Sequence, residues 1–243
     1  LSSGVAPARG AAACILLASL ALVGCNTNAD VSVEVAQDGS GTVSVDVELD
    51  ADASAAIGGP DGLVLSDLED TGWELTAPEV AEDSTLRISA AHDFSDGADL
   101  ASVLDAVAGP GVFTDVSIDV EESFGSTEWS AGMDVSVSGD PAQFSDDALT
   151  GVLGGLPLGR TPEELAEVGA TEPGAATMTV ELSLFGEDTD SARLDLSSGE
   201  ASSAGLSVRH TETQVFVFVL AGLGAALLLA SLVFAVLALR NRS

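Results

Sequence analysis

The residue with the most chemistry to offer is the thiol of Cys25. Leu22, Val23 and Gly24 stand directly before it and close an apolar run that begins at Ala11. An apolar residue, two small or β-branched residues and then a cysteine make a lipobox, at which bacterial cells acylate the sulfur and cut the leader just before it. The run is about as long as a secretory h-region and shorter than the roughly 20 residues that span a bilayer. Arg9 supplies one upstream positive charge. The pattern predicts 1–24 as a lipoprotein signal peptide and Cys25 as the lipidated mature N-terminus, with 25–30 a short tether. The plainer alternative is an ordinary leader that contains a cysteine. Cys14 is a poorer lipid site, because only the largely polar Leu1 to Gly10 precedes the small residues around it. The opening Leu1 is read either as an unusual start or as the mark of a few missing residues.

The other reactive side chains do not assemble into a known constellation. His92 shares parity with Leu86, Ile88 and Ala90, which suits a satisfied core or edge histidine better than a ligand. His210 stands five residues before a long apolar segment, where an interfacial role is the default. No HExxH, no Gly-x-Ser-x-Gly and no Gly-x-x-x-x-Gly-Lys is present, and the chain has no lysine at all. Carboxylate pairs such as Glu121 with Glu122 and Asp188 with Asp190 read as solvated faces. Asp46, Glu48, Asp50 and Asp52 share one strand face but lack the calcium-loop pattern. The expectation is a non-enzymatic protein without metal or cofactor.

Charge and hydropathy set the surroundings of these residues. The formal net charge is −32, and all 39 acids fall between the leader and the apolar segment, opposed there by Arg87, Arg160, Arg193 and Arg209. Such a field repels nucleic acid and anionic surfaces and favours basic partners or divalent cations. A compositional cause, solubility or a GC-rich genome, is the plainer account. One cysteine after processing leaves no disulfide to staple the domain. Val215 to Leu239 carries no charge, and as a helix it would be about 37 Å long, enough to cross a bilayer. Gly222, Ala226 and Ala230 recur at a helix-packing spacing within it. Arg240 and Arg242 follow, which predicts a transmembrane helix over 215–239 and a cytoplasmic basic tail over 240–243.

The elements that must position everything else lie between residues 31 and 214. Val31, Val33 and Val35 alternate with polar residues, Asp38 to Gly41 breaks the run, and Val43, Val45, Val47 and Leu49 alternate again. That is a β-hairpin with one buried face. Further strands are predicted around Trp73–Ala77, Leu86–Ala90, Val116–Val120, Ala131–Val137 and Met178–Leu184. Leu194 with Leu196 and Leu206 with Val208 read as a closing pair. Ser95 or Asp96 caps a predicted helix whose Leu100, Val103, Leu104 and Val107 follow helical spacing, stopped by Gly109-Pro110-Gly111. Short helices are predicted over 63–68, 144–153 and 162–168, and the Pro/Gly-rich 154–174 is either a divider or a long loop. The fold class expected is α+β: a mostly antiparallel sheet with a few short helices, plus one C-terminal transmembrane helix.

The lipobox cysteine, the hairpin that follows at once, Gly72-Trp73 after a short helix, and the Leu194 to Val208 pair ahead of Val215 to Leu239 together resemble the LppM-like lipoproteins of actinobacteria. The resemblance covers nearly the whole chain as architecture. It implies a cell-envelope lipoprotein whose ectodomain binds lipid or glycolipid, with the ectodomain on the extracytoplasmic face of the cytoplasmic membrane. Phe94, Leu100, Val103, Leu104 and Val107 are the candidate lining of an apolar ligand groove, although the same spacing is what any core helix shows. The alternative function is a protein-interaction module of a membrane complex that offers an acidic face to a basic envelope protein, with no nucleic-acid partner.

Overall fold

Alternating valines build the centre of the fold. The structure, a computed structural model, describes residues 27–51, 54, 60, 72–138, 174, 176–216, 220, 223 and 227. β1 (Thr27–Val35) and β2 (Gly41–Leu49) form the expected antiparallel hairpin, with Val31 opposite Val45 and Val33 opposite Val43. β1 begins at Thr27, inside the segment read as a tether. The hairpin turn closes through Asp38, whose carboxylate accepts the N–H of Ser40 at 3.1 Å and its hydroxyl at 2.6 Å. Gly39 takes a φ of 85° there, a conformation that costs glycine nothing.

Seven more strands follow: β3 (Glu74–Val80), β4 (Leu86–Phe94), β5 (Phe113–Ser123), β6 (Ser126–Val137), β7 (Ala176–Leu184), β8 (Asp188–Asp195) and β9 (Ser202–Thr213). They form a six-stranded sheet in the order β3-β4-β2-β1-β7-β8 and a three-stranded sheet in the order β5-β6-β9. Among the described residues every pairing between two of these strands is antiparallel except β1 with β7, which run parallel with Thr27 beside Ala176. The expected closing pair does not form. β8 pairs with β7 and β9 with β6, so the two strands belong to different sheets. Leu194 and Leu206 are both buried because the two sheets turn their apolar faces to one shared core.

Helix α1 (Gly97–Ala108) is the helix that the spacing predicts. Asp96 caps it, accepting the N–H groups of Ala98 and Asp99 at 2.9 Å each. Gly109, at φ 84°, ends it. Leu100, Val103, Leu104 and Val107 are all buried, packed with Phe94 and with the valines of β1 and β2 in one hydrophobic cluster. Trp73, Trp129, Met133 and Met178 also belong to that cluster.

The α+β assignment is corrected by these elements. Among the described residues, nine strands and one twelve-residue helix make a β-rich fold of two sheets. Period-two alternation covers most of the described chain, and helical spacing is satisfied over α1. The C-terminal transmembrane helix of that assignment falls on 215–239, most of which lies outside the described residues. Among the described residues, no helix is long and apolar enough to cross a membrane. Within the predicted span only Val215, Phe216, Leu220, Leu223 and Leu227 are described, all in helical conformation and each at least 50% exposed. The helices predicted over 63–68, 144–153 and 162–168 lie outside the described residues.

Candidate functional site

Strand register decides which polar side chains meet. On the solvent face of the larger sheet, Asp195, Thr177, Asn28, Glu48 and Arg87 stand opposite one another in a row across β8, β7, β1, β2 and β4. The row lies at the end of the sheet where β1 begins, two residues after Cys25. A cleft of about 230 Å³ opens there, lined by Thr27, Asn28, Glu48, Asp50, Thr85, Gly174, Thr177 and Arg193.

Hydrogen bonds wire the cleft from one side. Arg193 donates from Nη2 to the Thr177 hydroxyl at 3.0 Å, and that hydroxyl donates to Asn28 Oδ1 at 2.8 Å. Asn28 in turn donates from Nδ2 to Asp30 at 2.8 Å. On the other side Arg87 donates to Glu48 at 2.7 Å and neutralises it. Arg209 is held by Glu128 at 3.1 Å. Among the described residues Arg193 meets no carboxylate oxygen within 4.0 Å, so its guanidinium keeps N–H groups to spare. A set that mixes a guanidinium, hydroxyls and carboxylates both donates and accepts, which suits a ligand whose own oxygens do the same.

Asp195 fixes the loop backbone beside the cleft. It accepts from the N–H of Gly174 at 3.0 Å and from the N–H and hydroxyl of Ser197 at 2.9 and 2.7 Å. Partial burial works to raise its pKa, but these hydrogen bonds favour the charged form more, and the carboxyl sits below its ordinary value. On the opposite, core-facing side of β1, the Thr27 hydroxyl is buried without a hydrogen-bond partner among the described residues.

At the opposite end of the larger sheet, aromatic residues from both sheets come together. Trp129, Phe185 and His210 meet there, with Phe185 edge-on to both Trp129 (5.3 Å between ring centres) and His210 (5.1 Å). Trp129 donates its indole N–H to the Gln37 carbonyl at 3.0 Å, and Asp188 bonds His210 Nδ1 at 2.6 Å. A broader hollow of about 450 Å³ lies beside Phe185, lined also by Glu34, Gln37 and Thr42. His210 thus joins the two sheets, a role its place in the sequence did not reveal. His92 packs its ring against Trp73 at 5.3 Å and bonds the Asp93 carbonyl.

Of the residues singled out from the sequence, Leu22, Val23, Gly24 and Cys25 lie outside the described residues. Phe94, Leu100, Val103, Leu104 and Val107 come together as expected, but each is 6% exposed or less and belongs to the core cluster. They pack rather than line an open groove. Asp46 and Glu48 are engaged by Ser89 and Arg87, and among the described residues no group of three or more metal-ligating side chains converges. Arg193 and Thr177 were missed because nothing local marks them. They meet only through the β7–β8 register.

Compared with protein-family models and with curated proteins, the chain matches none. Among solved structures it is similar to the folded domain of LppM from Mycobacterium tuberculosis, determined by NMR, at 12% identity and a TM-score of 0.36. That match covers 76% of this chain and 91% of that one. The likeness is to a distant LppM-like fold, and it carries no ligand, anchor or role across to this chain.

Proposed function

We propose that this chain is a cell-envelope lipoprotein, lipidated at Cys25, whose β-rich domain holds the polar headgroup of a lipid or glycolipid in the cleft beside that anchor. The observation that carries the reading is Arg193. In a chain with 39 acidic residues its guanidinium is aligned, among the described residues, by a threonine and not by a carboxylate, and it faces a cleft that can both donate and accept. The lipobox supplies the position. Two residues span at most about 7 Å, so a lipid on Cys25 would hold the Thr27 end of β1, and the cleft with it, at the level of the headgroups.

The apolar interior is packed, so recognition in this reading is of a headgroup and not of an acyl chain. Arg87 cancels Glu48 within the lining, which keeps the cleft from repelling a phosphate as strongly as the whole acidic surface would. The test uses the full chain in nanodiscs made from a bacterial lipid extract, released into a native mass spectrometer. The wild type is expected to retain a lipid, and Arg193→Gln to retain it about tenfold less, the loss expected for one charge-assisted hydrogen-bond partner. Equal retention by both proteins, or none by either, would contradict the proposal.

A further inference from the structure

The two edges of the smaller sheet are treated differently. β9 lies against β8 of the larger sheet, joined by side chains: the N–H of Ser207 donates to Asp190 at 3.0 Å, and His210 bonds Asp188. β5 has β6 on one side and no strand on the other among the described residues. Its register breaks between Thr114 and Ser117, where Asp115 takes a φ of 51°, and then runs unbroken from Ser117 to Ser123 against Gly132 to Ser126. Helix α1 approaches the start of this stretch, for a Cβ on Gly97 would come 3.3 Å from the Ile118 nitrogen. Beyond it, Asp119, Val120, Glu121, Glu122 and Ser123 are all exposed.

Edges of this kind pair with other strands unless something prevents it. β3, at one edge of the larger sheet, is interrupted between Thr76 and Glu79 and contains Pro78. From Ser117 to Ser123, β5 has no proline and no basic residue, and among the described residues its one protection is charge: Asp119, Glu121 and Glu122. Those carboxylates repel a second copy of the same edge, yet they invite an extended segment of opposite sign. Val120, 46% exposed, adds an apolar position beside them.

We infer that the Asp119–Ser123 edge of β5 is a docking site for an extended, lysine- or arginine-bearing segment of a partner protein, which adds to the smaller sheet as a fourth strand. Backbone hydrogen bonds supply the pairing and the three carboxylates select the sign of the partner. This site is independent of the headgroup cleft and stands whether or not Cys25 is lipidated.

The experiment offers the full chain in detergent a short labelled peptide that alternates lysine with valine. Binding is read by fluorescence anisotropy and located by hydrogen exchange with mass spectrometry. The expected result is saturable binding that weakens with salt, with amide protection confined to β5. A peptide of the same sequence with every backbone nitrogen methylated, which keeps its charge and loses its donors, should bind at least about tenfold more weakly. Glu121→Lys with Glu122→Lys should weaken the unmodified peptide to a similar degree. Equal binding of the methylated peptide, protection elsewhere in the chain, or no binding at all would overturn the inference. The methylated peptide decides the matter even if the double variant fails to fold.

Discussion

Replacing Leu104 by alanine separates a core helix from a ligand groove. Leu104 is 0% exposed on the inner face of α1 and belongs to the cluster that also holds Leu100, Val103 and Phe94. Losing the isopropyl end of its side chain in a packed interior removes the transfer energy of those atoms and leaves a cavity, together about 3 kcal/mol. With a urea dependence of about 2 kcal/mol per molar for a domain of this size, the unfolding midpoint should fall by roughly 1.5 M. Trp73 and Trp129 are both buried, so their fluorescence reports the transition. Asp105→Ala, an exposed position on the same helix, is the control and should move stability by no more than about 0.5 kcal/mol. A loss below about 1 kcal/mol for Leu104→Ala would mean that the side chain faces open space, and the packed-core reading would fall.

Three further outcomes follow from single residues. Thr27→Val removes a buried hydroxyl that has no partner among the described residues and keeps the shape of the side chain, so it should stabilise the fold by about 1 kcal/mol, read as a higher urea midpoint; a lower midpoint would show that the hydroxyl is satisfied. Asp96→Ala uncaps α1 and should cost about 1 kcal/mol, with hydrogen exchange rising first in the amides of Ala98 and Asp99; unchanged exchange there would contradict the cap. Asp195 has a lowered pKa in the folded protein, so its contribution is complete above the ordinary value of 3.8 and fades as pH falls through the lower folded value. Melting temperatures taken from neutral pH down into that acid range should fall less for Asp195→Asn than for the wild type, and parallel acid limbs would refute this role.

The central strands were legible because each carries its own alternation. Val31 to Val35 and Val43 to Leu49 show it without help from any neighbour, and Asp96 with Leu100, Val103, Leu104 and Val107 shows the helix in the same way. What alternation does not encode is which strand lies beside which. Leu194 and Leu206 have matching parity and lie near each other in the chain, yet they face the core from different sheets. The parallel pairing of β1 with β7 joins residues about 150 positions apart, and no local signal announces it. The candidate cleft depends on that pairing, since it brings Thr177 beside Asn28, and β8 then brings Arg193 to Thr177. The five apolar residues offered as a groove were correctly grouped, but a groove and a core share one spacing. Burial alone tells them apart.

The proposed position of the cleft at the membrane follows from a lipid on Cys25. The most direct measurement is the mass of the N-terminal peptide of the mature chain, taken from membranes of a bacterial host that processes lipoproteins. That peptide is expected to begin at Cys25 and to carry a diacylglyceryl group on the sulfur. A peptide that begins elsewhere, or a Cys25 with a free thiol, would contradict it.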